Sequence, residues 1–144
     1  MVKGFIILLS LFFISNVYAA NLDSTIKMHT KTAISYLNMD IKKYESDPYK
    51  FDIAKQEIKK NDLNGDGIAD AIVSTVYCEK TSCHPTTNTS EVAVYLGQRD
   101  GSFKFIDSKY LGIYLDTNIT NKQIKVISYG YKDSDSTCCP TDKY

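Results

Sequence analysis

The segment Asp62-Leu63-Asn64-Gly65-Asp66-Gly67-Ile68-Ala69-Asp70 constrains this chain more than any other. Oxygen-bearing side chains fall at every second position, and glycine stands where the chain must turn sharply. That spacing lets one short segment wrap a hard cation such as Ca²⁺, which takes six to eight oxygens at roughly 2.3–2.6 Å. Asp62, Asn64, Asp66 and Asp70 offer side-chain oxygens, Ile68 offers its backbone carbonyl, and water completes the shell. Gly67 supplies the positive φ of the turn. Without a cation the three carboxylates repel one another, so metal binding and local folding are coupled. The competing reading is a hairpin turn, because Asn64-Gly65 or Asp66-Gly67 alone makes a type I′ turn. Turn chemistry, however, does not ask for Asp70 or for alternating oxygens. Between the two stands a degenerate loop, kept in shape by Asx hydrogen bonds and binding metal weakly.

The loop is not an EF-hand, because the twelfth position, which needs a bidentate Glu, is Val73. The run that follows, Ala71 to Tyr77, is rich in β-branched and aromatic residues and predicts a strand. A D-x-N-x-D-G-x-x-D loop leading into a strand resembles the calcium loops of integrin-type (FG-GAP) β-propeller repeats. The resemblance implies Asp62, Asn64, Asp66, Asp70 and the Ile68 carbonyl as ligands. One copy of the loop cannot build a propeller, which needs several blades, and the chain carries no internal repeat.

Residues 1–19 read as a secretory signal: Lys3 is the positive n-region, Phe5 to Ile14 the apolar stretch, and Val17-Tyr18-Ala19 the small-residue cleavage site. Cleavage is expected after Ala19, with Ala20 as the alternative. The apolar run is too short for a comfortable membrane span. No Cys lies near the cleavage site, which argues against a lipid anchor. The chain is thus expected to be periplasmic or secreted, with residues 20–144 forming a single domain of ordinary size. Charges balance at 17 against 17, which argues against nucleic acid or an anionic membrane surface as the main partner.

Four cysteines in an exported chain are read first as disulfides. Cys78 and Cys83 bracket a short polar loop, and Cys138 and Cys139 are adjacent. Of the three pairings, 78–83 is favoured, with 138–139 either a vicinal ring or thiols. The two cross-pairings would tie the C-terminal segment to the 78–83 loop. A zinc site of Cys78, Cys83, His84, Cys138 and Cys139 is disfavoured by spacing and compartment. Cys138-Cys139 also lacks the C-x-x-C spacing of thioredoxin-like redox enzymes.

Ile26, Ala33, Ile34, Leu37, Ile41 and Tyr44 form an apolar stripe that predicts a helix over 24–44, capped by Asp23 or Ser24 and ended by Asp47-Pro48. His29 lies beside the stripe and is expected to face solvent. Residues 51–60 are read as a strand entering the loop, and 69–78 as its return. Further strands are expected at 91–96, 103–106, 110–115 and 123–131, with turns at 99–102 and 118–121. The expected fold class is α+β, with the N-terminal helix packed on an antiparallel meander of about five strands. Asn88 and Asn118 stand in N-x-Ser/Thr sequons and are read as polar loop residues.

The loop Asp62 to Val73, followed by Asp135-Ser136-Thr137-Cys138-Cys139-Pro140-Thr141, resembles a group of small exported bacterial proteins and lipoproteins. These combine a D-L-N-G-D-G-x-x-D-A-x-V loop with a D-x-x-C-C-P-[ST] motif, and LppP/LprE-type lipoproteins are similar. The resemblance covers most of residues 60–141 and implies a small, periplasmic or secreted, non-enzymatic domain. Two departures are the missing lipobox cysteine and the short stretch after the C-C-P motif. The latter leads to the expectation of either a very short last strand or a truncated chain whose sheet has an exposed edge.

The function expected from the sequence is a calcium-stabilised structural or protein-binding module, with weak affinity of about 10⁻⁴–10⁻³ M. The alternative is a periplasmic immunity protein or an inhibitor of a toxin or hydrolase, whose Tyr-rich surface would engage an exported protein partner. An enzyme is not expected: there is no G-x-S-x-G, no H-E-x-x-H and no nucleophile–base pair, and the two His are far apart in sequence.

Overall fold

Among the described residues one helix comes first and strands follow. The computed structural model describes residues 20–39, 50–81, 83–84, 88–113, 115–136 and 141–143. The expected signal at 1–19, the end of the stripe at Ile41 and Tyr44, Asp47-Pro48, and Cys138-Cys139 lie outside the described residues. The elements are α1 (Leu22–Leu37), β1 (Phe51–Asn61), β2 (Asp70–Glu79), β3 (Asn88–Gly97), β4 (Phe103–Tyr110), β5 (Leu115–Thr120), β6 (Gln123–Gly130) and β7 (Asp142–Lys143).

The helix begins at Leu22 because Asn21, not Asp23 or Ser24, is its cap: the Asn21 Oδ1 accepts from the Ser24 N–H at 2.9 Å. Its buried face carries Leu22, Thr25, Ile26, Thr30 and Ala33. The two threonines are tolerated there because each hydroxyl donates to a helix carbonyl, Thr25 to Asn21 and Thr30 to Ile26. At the far end Asn38 clamps the first strand, accepting from the Phe51 N–H at 2.8 Å and donating to the Phe51 carbonyl at 3.1 Å.

The fold class α+β holds, but the single meander of about five strands does not. β1-β2-β3-β4 form one antiparallel sheet, and β5-β6-β7 form a second. The cause lies between β4 and β5. Leu111 and Gly112 bond back to Ser90, the Ile113 N–H donates to Tyr129, and Gly112 takes φ 56°, so the chain leaves the sheet edge. The expected turn at 118–121 falls later, on Asn121 and Lys122, both with positive φ, and Asn118 is in a strand. Asn88 too begins a strand.

Alternation along β2 and β3 sorts the two faces. Ala71, Val73, Ala93 and Tyr95 join Leu22 and Ile26 in the core beneath α1. Each large apolar side chain buried there contributes about 1.5–3 kcal/mol. On the opposite face the Ser74 and Thr117 hydroxyls meet at 3.0 Å, and Lys59 donates to the Thr117 carbonyl. Val92, Val94, Leu111, Ile124 and Val126 line an apolar cleft there of about 230 Å³. Cys78 and Cys83 form a disulfide with Cα atoms 5.0 Å apart, which excludes both cross-pairings and removes two sulfurs from any zinc site. Among the described residues no helix is long and apolar enough to cross a membrane.

Candidate functional site

β1 and β2 pair as far as Asn61 and Asp70, and the eight residues between them fold on their own side chains. The Asp62 carboxylate accepts from the Gly65 N–H at 2.6 Å and from the Gly67 N–H at 3.0 Å. Asn64 Oδ1 accepts from the Asp66 N–H at 2.9 Å, while its Nδ2 donates to the Asp66 carboxylate at 3.0 Å. Asp66 accepts from the Ile68 N–H at 2.8 Å. These are Asx bonds over two to five residues, and they need no distant partner. Gly67, at φ 83°, takes the left-handed turn that its position in the sequence predicts.

Asp70 differs from the other three. It is 0 % exposed, and its two oxygens accept from the Leu63 N–H and the Gly97 N–H, each at 2.9 Å. It therefore closes the loop at its base and ties it to the end of β3. Gly97 makes this possible, because a Cβ there would collide with the Ala69 carbonyl oxygen. Among the described residues no cation pairs with Asp70.

A side-chain cation does approach the loop from outside. Lys122, on the β5–β6 turn, places its Nζ where a Cβ on Gly65 would lie. The Gly65 N–H bond holds the Asp62 carboxyl below the usual carboxylate range. Partial desolvation opposes this, while the Gly67 N–H and the Lys122 ammonium reinforce it. The Asp62 carboxylate is thus ionised and lies near a positive charge. Beside it Asp66, Ile68, Gly97, Arg99, Asp100 and Ser102 border an open cleft of about 510 Å³.

The structure brings together Asp62, Asn64, Asp66 and Ile68 around the turn and sets Asp70 at its base. Among the described residues no group of three or more His, Cys, Asp and Glu converges closely enough to hold a metal on its own. The three carboxylates therefore do not form a complete shell. The donors nonetheless fit a hard cation in chemistry, being oxygen throughout, with lone pairs left over after each N–H bond.

The C-terminal motif has a structural logic of its own. Asp135 accepts from the Lys132 N–H at 2.8 Å, the Thr141 N–H at 2.8 Å and the Thr141 hydroxyl at 2.7 Å. The first and last residues of D-x-x-C-C-P-T thus bond to each other. The Lys132 N–H is the main cause holding the Asp135 carboxyl below its ordinary range, ahead of Thr141.

One cluster escaped the sequence reading. Glu91, 1 % exposed, lies under α1, where it accepts from the Tyr77 hydroxyl at 2.7 Å and meets His29 Nε2 at 2.9 Å. His29 does not face solvent as expected; its ring stacks on Phe105 at 4.4 Å and meets Tyr95 edge-on at 6.2 Å. Burial pushes the Glu91 carboxyl up, but bonds from His29, Ser108 and Tyr77 more than offset it and hold it below the ordinary value. Burial, and then Glu91, push the Tyr77 and Tyr95 hydroxyls up. The signal was present: Glu91 shares its strand face with Ala93 and Tyr95, so an acid stood on an apolar face. With Glu91 1 % exposed and both its oxygens engaged, the cluster reads as a packed polar core.

Comparison of the chain with protein-family models, with curated proteins and with solved structures finds no match.

Proposed function

We propose that this protein is an exported, non-enzymatic binding module whose β1–β2 loop takes up a calcium ion for structural purposes. The observation that carries the reading is Asp70: a fully buried carboxylate at the loop base with two N–H donors and no cation among the described residues. Lys122, drawn to the outer side of the same loop, supports it. Asp62, Asn64, Asp66, Asp70 and the Ile68 carbonyl would hold the ion, with water supplying the rest of the shell. When bound, calcium would neutralise the three carboxylates and stiffen the β1–β2 connection; it would take part in no reaction. The Asp135–Thr141 closure supports a structural role for the C-terminal motif of the resembling exported family.

The test is the melting temperature of the purified protein in EDTA and in millimolar CaCl₂, with Asp66→Ala alongside. Calcium at ten times its Kd should stabilise the protein by about 1.4 kcal/mol. The gain should vanish in Asp66→Ala. Equal melting temperatures with and without calcium would sink the proposal and leave the loop as a hydrogen-bonded turn.

A further inference from the structure

We infer that two copies of this chain associate through antiparallel pairing of their β1 strands about a two-fold axis at Gln56. β1 is an eleven-residue edge strand, and its outer side has no strand partner among the described residues. Ile53 and Ile58 stand 40 % and 41 % exposed on it. A long edge carrying exposed isoleucines is a template for another strand, and proteins usually guard such edges with lysine. β1 has Lys55, Lys59 and Lys60, yet its acids are placed to answer two of them in a second copy.

Register carries the argument. Ile53, Gln56 and Ile58 lie opposite Tyr77, Thr75 and Val73, so they share the face under α1. Asp52, Lys55, Glu57 and Lys59 lie opposite Cys78, Val76, Ser74 and Ile72, on the other face. With Gln56 opposite its own copy, Lys55 stands opposite Glu57 of the second copy, on the same face. The bulge between Ile53 and Lys55 then steps the register by one residue, as it does against β2. That step places Ile53 opposite Ile58 and Asp52 opposite Lys59. All three pairs match in face, and each matches in charge or apolarity. Moving the axis to Lys55 or to Glu57 would instead set each of those charges against its own copy.

Lys59 already approaches Glu57 within its own strand at 3.3 Å, so pairing would extend that contact into a charge ladder across the axis. Such surface pairs contribute little energy but select register. The product is a continuous eight-stranded antiparallel sheet, within the size range of open sheets. Strand addition alone forms a small interface, so the dimer should exchange reversibly with monomer.

Sedimentation equilibrium of the purified protein, from about 1 to 500 μM, tests this. A monomer–dimer equilibrium is expected. Lys55→Glu should weaken it about tenfold or more by setting acid against acid on both sides of the axis. The exchange Lys55→Glu with Glu57→Lys should restore it. Both positions are exposed, so melting temperatures at low concentration should stay close to wild type, separating association from folding. A protein monomeric throughout, a dimer indifferent to Lys55→Glu, or an exchange that fails to restore association would each overturn the proposal.

Discussion

The Asp62–Asp70 loop holds its carboxylates with backbone N–H groups two to seven residues away along its own chain, with Gly97 the one distant donor. Glu91 is held by Tyr77 and His29, which lie 14 and 62 residues away. Local N–H donors shape the loop but leave oxygen lone pairs, and most of the loop's surface, open to a cation. The donors around Glu91 engage both carboxylate oxygens and seal them under a helix, so that acid is part of the packing. Two acidic sites thus end differently: the loop leaves its outer oxygens exposed, while Glu91 fastens α1 to the sheet.

The sharpest break of this contrast is Glu91→Ala. It strands the Tyr77 hydroxyl and His29 beneath α1 and should cost about 3–5 kcal/mol in urea unfolding. Asp70→Ala comes next, since the Leu63 and Gly97 N–H groups lose their acceptor. A loss of about 2–4 kcal/mol is expected, together with loss of the calcium response.

The pH profile tests the same division. Glu91 and Asp62 both have folded pKa values below their ordinary 4.5 and 3.8. The stability they contribute is present above those ordinary values and is lost as pH falls through the folded ones. Calcium should protect the Asp62 contribution and leave that of Glu91 unchanged. At the alkaline end burial, followed by Glu91, pushes Tyr110 up to about 12, and Tyr77 and Tyr95 lie higher still. Stability from these neutral hydroxyls is complete below pH about 10 and is lost as pH rises from there. Circular dichroism across both limbs reads these transitions.

Smaller effects sharpen the loop side. Asp66→Ala, at an exposed position, should cost less than about 1 kcal/mol in EDTA while abolishing calcium stabilisation. Lys122→Met should hardly change stability in EDTA. It removes a competing positive charge, so calorimetric titration at low salt should show calcium binding about two- to fivefold tighter. Unchanged affinity would mean that Lys122 is a bystander.

How much was legible follows from the range of the interactions. The alternation in Glu91-Val92-Ala93-Val94-Tyr95 and the Asn and Gly turn residues located β2, β3 and the hairpins to within a few residues. The ends of α1 were misplaced because the cap is Asn21, which precedes the stripe, and because Asn38 closes the helix by binding Phe51. The second sheet was missed because the departure at Gly112 depends on bonds to Ser90 and Tyr129. His29 was misread because its partner is on a strand far along the chain.

What the sequence by itself determined is the Asp62–Asp70 turn and the strand alternation, since both rest on side chains within a few residues of one another. Only the tertiary structure decided that Asp70 is buried against Gly97, that Lys122 reaches the loop, that Glu91 lies beneath His29, and that β1 is an edge strand among the described residues. Each of these depends on which strands stack and in what register, and that is set by burying apolar faces together, a force with no direction along the chain.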